Sequence, residues 1–166
     1  IFRRIRTVVN WCLKHNITTN DPFATFEMPK VLDSPPFYLT LEERDKVYYA
    51  DLSNETPSTQ VYRDIFMFHC LIGCRVGDLE KMTRANIVDG AVEYIAEKTK
   101  NHKPRTIRVP LNEKAKAILA KYADLETRLL PKINQNIYNR QIKKILKQLG
   151  IDRMVTVIDN KTREPI

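Results

Sequence analysis

Four of the chain's nine prolines, Pro22, Pro29, Pro35 and Pro36, fall in one stretch without hydrophobic periodicity, residues 16–36. Proline fixes φ, removes a backbone donor and pushes the preceding residue toward extended backbone, so neither a helix nor a central strand runs through such a stretch. It divides the chain into a short N-terminal piece and a long remainder, which marks a linker or domain boundary. Before it, residues 1–15 read as a helix. Phe2, Ile5, Val9, Cys12 and Leu13 fall on one stripe, widened by Val8 and Trp11, with Arg3, Thr7, Asn10 and Lys14 opposite. After it, Thr40-Leu41-Glu42-Glu43 has the spacing of a capping box, and a helix is expected from there to about Leu52.

The remainder reads as helices around a small sheet. A polar loop, Ser53 to Thr59, precedes a largely apolar core helix over 60–72. Gly73-Cys74-Arg75-Val76-Gly77-Asp78-Leu79 leads into a short helix ending near Thr83. Ile87-Val88, Asp89-Gly90 and 91–97 read as strand, tight turn and strand, since Asp-Gly favours the type I′ hairpin turn. A polar loop, Lys98 to Arg105, gives way to a third strand over 106–109, stopped by Pro110. Asn112 caps a helix to about Leu125, and a last helix spans about 135–149, closed by Gly150. Residues 154–158 read as one more strand. Both ends look cut, so a longer parent protein is expected.

Charge and cysteine usage narrow the class. The 28 Lys and Arg against 20 Asp and Glu leave +8, a surplus that suits an anionic partner, with nucleic acid the commonest. Cys12, Cys70 and Cys74 are too few and odd in number for a disulfide framework, which places the chain in a reducing compartment, the cytoplasm. Cys70 and Cys74 lie near His69, but no second Cys or His pair stands at ligand spacing, so buried free thiols are expected rather than a metal site. No apolar run is long enough to span a membrane.

Arg75 is the most informative residue. It stands between Gly73 and Gly77 at the start of a short helix, where the dipole disfavours a cation, and directly after a core helix. It therefore needs an anionic partner: either a buried pair with Asp78 or Asp64, or a phosphate gripped by the guanidinium fork with Asp78 holding it from behind. Lys98 stands at the end of the second strand, at the mouth of a loop carrying Lys100, Lys103 and Arg105. Singly these three cations read as solvated turn residues; together they make a basic finger able to follow a nucleic-acid backbone.

The run from Leu71 to Ile87, LIGCRVGDLEKMTRANI, is followed by a three-stranded meander with EKT at the end of its second strand, then by IRVPLNEKA at 107–115. Together these resemble the first half of the tyrosine recombinase (phage integrase) catalytic domain, and FYLTLEE at 37–43 is similar to that domain's entry. Residues 2–30 resemble the last helix and exit segment of the family's core-binding domain. The resemblance implies an α+β, mainly helical fold: residues 1–28 end the core-binding domain, 29–38 form a linker, and 39–166 form a catalytic domain incomplete at its C-terminus.

It also implies a chemistry. A tyrosine attacks a DNA phosphodiester, leaving a 3′-phosphotyrosyl link and a free 5′-hydroxyl, and another strand's hydroxyl reverses the step. No metal or nucleotide cofactor is needed. Arg75 matches the family's first catalytic arginine and Lys98 its hairpin lysine, the general acid for the 5′-oxygen, with Asp78 supporting Arg75. The implied partner is duplex DNA, with a homo-tetramer on paired sites in the full-length protein, and the implied roles are DNA integration, excision or resolution for a mobile element.

The family's second arginine, in H-x-x-R, and its nucleophile are expected beyond this chain. His102 and Arg105 have the spacing, but they lie in the hairpin loop and Pro104 bars a helix interior. The tyrosines at 38, 48, 49, 62, 94, 122 and 138 all precede the place of the nucleophile, with Tyr94 and Tyr122 expected toward the core. In the last helix Tyr138, Ile142, Ile145 and Leu149 form an apolar stripe, and Asn136, Arg140, Lys143 and Lys147 line the other face with Asn139 beside them. Such a face is ordinarily just solvated. In the family the corresponding helix lies in the DNA major groove, where Asn and Arg read base edges. The competing readings are a non-catalytic DNA-binding protein on the same scaffold and a basic helical RNA- or protein-binding module. A metal-dependent nuclease fits less well, because Asp64, Asp78 and Asp89 read as ordinary helix and turn residues.

Overall fold

The computed structural model describes residues 2–26, 36–102, 104–157, 159, 162 and 164. They fall into two units, one spanning Tyr38–Met154 and the other holding the described residues on either side of it. Residues 29–35 of the expected linker, 29–38, lie outside the described residues.

In the smaller unit, helix α1 (Phe2–Lys14) forms where the apolar stripe places it. None of its residues is buried, and Phe2, Ile5, Val8 and Trp11 stay about half exposed. Phe2 reaches Phe26, with ring centroids 5.3 Å apart.

The larger unit opens on the expected capping box. Thr40 Oγ1 accepts the Glu43 N–H at 3.2 Å and Glu43 Oε2 accepts the Thr40 N–H at 2.8 Å, starting α2 (Leu41–Tyr48). This helix stops short of Leu52. Arg63 donates to the Tyr48 and Ala50 carbonyls at 3.4 and 3.1 Å, and Asp51 Oδ1 accepts the Ser53 N–H at 2.9 Å in a local turn. Leu52 is freed to enter the core. Helix α3 (Pro57–Ile72) starts earlier than its apolar pattern, because Thr56 caps it and Pro57 suits the first helical position. It ends at Gly73, whose φ of 67° is the left-handed conformation that lets the chain turn away.

One helical turn, α4 (Val76–Leu79), and a 3₁₀ turn, Arg84–Asn86, lead into an antiparallel sheet ordered β1 (Ile87–Val88), β2 (Ala91–Ile95), β3 (Thr106–Pro110). Asp89 and Gly90 both have positive φ, 46° and 73°, as a type I′ turn requires, and set the register Val88 to Ala91 and Ile87 to Val92. β2 pairs with β3 from Ala91–Pro110 to Ile95–Thr106, two residues short of the expected end at Glu97. Helix α5 (Glu113–Lys121) is capped by Asn112 and ends four residues before Leu125; α6 (Gln135–Gln148) is capped by Asn134 and closed by Gly150 at φ 66°. Residues 154–157 form no strand, and Ile158 lies outside the described residues.

The six helices and the sheet make an α+β fold among the described residues. Its centre is α3, which packs on α2, α5 and α6. Ile65, Met67 and Phe68 of α3 are fully buried among Val47, Val92, Ile118, Leu129 and Ile145. At about 1.5–3 kcal/mol for each large apolar side chain removed from water, this cluster holds α3 and β2 in one core.

Candidate functional site

Arg75 is the N-cap residue of α4: its carbonyl accepts the Asp78 and Leu79 N–H groups at 3.0 Å, while its side chain makes no cap bond. The guanidinium is 57 % exposed and lies 3.9 Å from Asp78 Oδ2, whereas the Asp78 side chain is only 5 % exposed. Arg75 is thus not half of a buried pair. Asp64, the other candidate partner, is held by Arg63 at 2.8 Å, Lys121 at 3.0 Å and Tyr122 Oη at 3.1 Å.

Asp78 does a second job. Its Oδ1 accepts the backbone N–H of Glu97 at 2.9 Å, and its buried Oδ2 has no hydrogen-bond partner among the described residues. This bond explains the early end of β2: Glu97 N–H turns toward α4 instead of the ladder. A tight turn follows, closed by Thr99 N–H to the Ala96 carbonyl at 3.0 Å. Lys98 lies in that turn rather than at a strand end, exposed and unpaired among the described residues. One buried carboxylate therefore joins the Arg75 turn to the residue before Lys98.

The loop cations are not equivalent. Lys100 pairs with Glu97, Arg105 is exposed without a partner among the described residues, and Lys103 lies outside them. Glu97 also takes Lys81 Nζ at 3.0 Å, and the two lysines, Lys100 foremost, hold its carboxyl below the usual glutamate range. A cleft of about 200 Å³ lies alongside, lined by Asp78, Lys81, Met82, Asn86, Tyr94, Ile95 and Glu97.

On α6, Asn136, Asn139, Arg140 and Lys143 are exposed and unpaired among the described residues, while Tyr138, Ile142 and Ile145 are buried. Lys144 and Gln148, further round the helix, both bind Glu55, at 2.5 and 2.6 Å. The solvent-facing row is left free to meet a partner.

His69 supplies a link that periodicity does not reveal. Its Nε2 lies 2.7 Å from the Cys74 carbonyl and its Nδ1 3.2 Å from Tyr138 Oη. The carbonyl can only accept, so Nε2 carries the proton and, in the neutral ring, Nδ1 accepts from the phenol. Burial raises the Tyr138 phenol well above its ordinary value and keeps it a donor. His69 thereby ties α6 to the residue before Arg75 and is withdrawn from any thiol pairing. The thiols themselves are less buried than expected: Cys70 is exposed, because the core side of α3 runs through Ile65, Phe68 and Ile72, and Cys74, beyond that helix, is half-buried against the core. Tyr94 and Tyr122 are half-buried against the core, and burial raises both phenols, the opposite of what activates a nucleophile.

Solved structures share this fold. A lambda integrase (residues 75–356) dimer bound to a COC′ core site matches with a TM-score of 0.66 and 20 % identity, covering 90 % of this chain and 54 % of that one. A lambda integrase tetramer bound to a Holliday junction matches at 0.64 and 20 % identity, covering 90 % of this chain and 46 % of that one. XerA recombinase matches at 0.52 and 19 % identity, covering 90 % and 54 %. The chain spans about half the length of each of these neighbours. At such identities the likeness is one of fold. No protein-family model and no curated protein sequence matches the chain. Among the described residues, no helix is long and apolar enough to cross a membrane.

Proposed function

We propose that this chain belongs to a site-specific tyrosine recombinase and supplies its DNA-reading helix and the first two groups of its catalytic site. The observation that carries the reading is the exposed Arg75 guanidinium, 3.9 Å from a buried Asp78 whose other oxygen binds the backbone next to Lys98. Two cations are thereby presented to solvent from separate segments, Arg75 mostly exposed beside Asp78 and Lys98 without an ion-pair partner among the described residues. In this reading residues 1–28 end a core-binding domain, 29–38 link it, and 39–166 are the first part of a catalytic domain.

The chemistry follows from what each group can do. Nucleophilic attack on a phosphodiester places growing charge on the non-bridging oxygens, and Arg75 offers two N–H groups in a planar fork to hold them. Lys98 protonates the departing 5′-oxygen. The nucleophilic tyrosine and the second arginine are not among these 166 residues, so cleavage and rejoining belong to a longer protein that carries them. That protein acts on duplex DNA as a tetramer on paired sites, serves a mobile element by integration or excision, and works in the cytoplasm. No cofactor enters the reaction, since the phosphotyrosyl bond retains the energy needed for rejoining.

The test is equilibrium binding to a duplex selected from random sequence, together with incubation on a nicked half-site that traps covalent product. The chain binds the selected duplex and forms no covalent adduct. Arg140→Ala costs about 1–3 kcal/mol on the selected site and little on random DNA, as removal of a bidentate base contact does. Absence of salt-sensitive duplex binding overturns the DNA reading; a covalent adduct overturns the assignment of the nucleophile elsewhere.

A further inference from the structure

Lys81 and Glu97 take no part in the chemistry assigned to Arg75 and Lys98, yet they meet Lys100 in a defined arrangement. Lys81 follows α4, while Glu97 and Lys100 follow β2. Lys81 Nζ lies 3.0 Å from Glu97 Oε2, and Lys100 Nζ binds the other oxygen, Oε1. Each lysine has its own carboxylate oxygen. The carboxylate is also placed from behind, because the Glu97 N–H is fixed on the buried Asp78 at 2.9 Å. All three side chains are open to water, at 65 % exposure for Lys81, 46 % for Glu97 and 47 % for Lys100.

We infer that Lys81 and Lys100 form a binding site for one backbone phosphate of duplex DNA, and that Glu97 occupies it as an internal stand-in until DNA arrives. The inference rests on the duplex-DNA reading above and adds Lys81 to the residues that touch the backbone. A phosphodiester, like a carboxylate, presents two anionic oxygens on one centre, so two ammonium groups spread over two oxygens suit either. Exposed lysine–carboxylate pairs are weak and screened by salt, so a polyanion can displace Glu97 at little cost. The displaced carboxylate then stands beside the phosphate as a like charge, and it sets a ceiling on affinity for any duplex.

The arrangement makes a prediction of opposite sign to that of an ordinary structural pair. If Glu97 only braces the loop, removing its charge loosens Lys100 and weakens binding. If Glu97 competes with phosphate, Glu97→Gln tightens binding.

The test measures anisotropy of a labelled duplex across a salt series for the unaltered chain, Glu97→Gln, Lys81→Ala and the two changes together. Glu97→Gln tightens binding to random duplex by about threefold to tenfold at low salt, and to a selected site by at least as much. Lys81→Ala weakens it and flattens the slope of log K against log salt by up to about 0.9, the contribution of one neutralised phosphate, which Lys100 shares. The gain from Glu97→Gln shrinks in the Lys81→Ala background. Weaker or unchanged binding in Glu97→Gln, or a Lys81→Ala slope equal to that of the unaltered chain, overturns the inference while the DNA reading stands. Loss of duplex binding in the unaltered chain removes both.

Discussion

Replacing Asp78 and Arg75 separately decides whether they are a structural pair or a device that faces DNA. Asp78→Ala removes the acceptor of the Glu97 N–H, a 2.9 Å bond to a charged group on a side chain 5 % exposed. Hydrogen bonds to charged groups contribute about 1.5–3 kcal/mol, and that is the expected loss. Asp78→Asn keeps an oxygen acceptor but not the charge, so its cost falls nearer the neutral-bond value of about 0.5–1.5 kcal/mol. Arg75 is 57 % exposed and 3.9 Å from its acid, so water screens the pair and Arg75→Ala costs at most about 1 kcal/mol. Urea unfolding followed by circular dichroism gives all three values on the 166-residue chain. The expected order is Arg75→Ala smallest, then Asp78→Asn, then Asp78→Ala. An Arg75→Ala loss of about 3–5 kcal/mol, the cost of breaking a buried ion pair, would falsify the reading and make Arg75 a fold residue.

The same geometry sets the outcome of other perturbations. Changing Lys100, Lys103 and Arg105 together to alanine lowers the salt slope of duplex binding by about one unit for each phosphate left unneutralised, and an unaltered slope shows the loop to be merely solvated. In a longer protein carrying the tyrosine, Arg75→Ala slows strand cleavage by about 10²–10³ or more, as removal of a donor to developing charge does. Arg75→Lys restores little there. A substrate with a 5′-bridging sulfur, which leaves without a proton, rescues Lys98→Ala and not Arg75→Ala; equal rescue of both defeats the assignment of roles. Burial pushes the Cys74 thiol up to about 11, so its alkylation by iodoacetamide keeps rising about tenfold per pH unit beyond the ordinary thiol range. A rate that levels off near pH 9 contradicts that environment.

Local chemistry made much of the fold readable in the residues themselves. The Thr40–Glu43 box, the Asp89-Gly90 turn and the Gly150 stop involve groups within a few positions of one another, and each stands in the structure as its residue types require. Arg75 and Asp78 were visible for the same reason, three residues apart across one helical turn. Where α2 and β2 end was not visible. Those limits are set by Arg63 reaching the Tyr48 and Ala50 carbonyls and by Asp78 taking the Glu97 N–H, bonds that no local propensity encodes. The same holds for which loop cation is free. Lys81 and Glu97 are 16 residues apart, Asp78 and Glu97 19, and His69 and Tyr138 69, so only tertiary packing brings them within bonding distance, that of α3 on α6 for the last pair. A pattern along the chain records which side chains can bond; the closed core decides which of them meet, because it alone fixes the separation of residues distant in sequence.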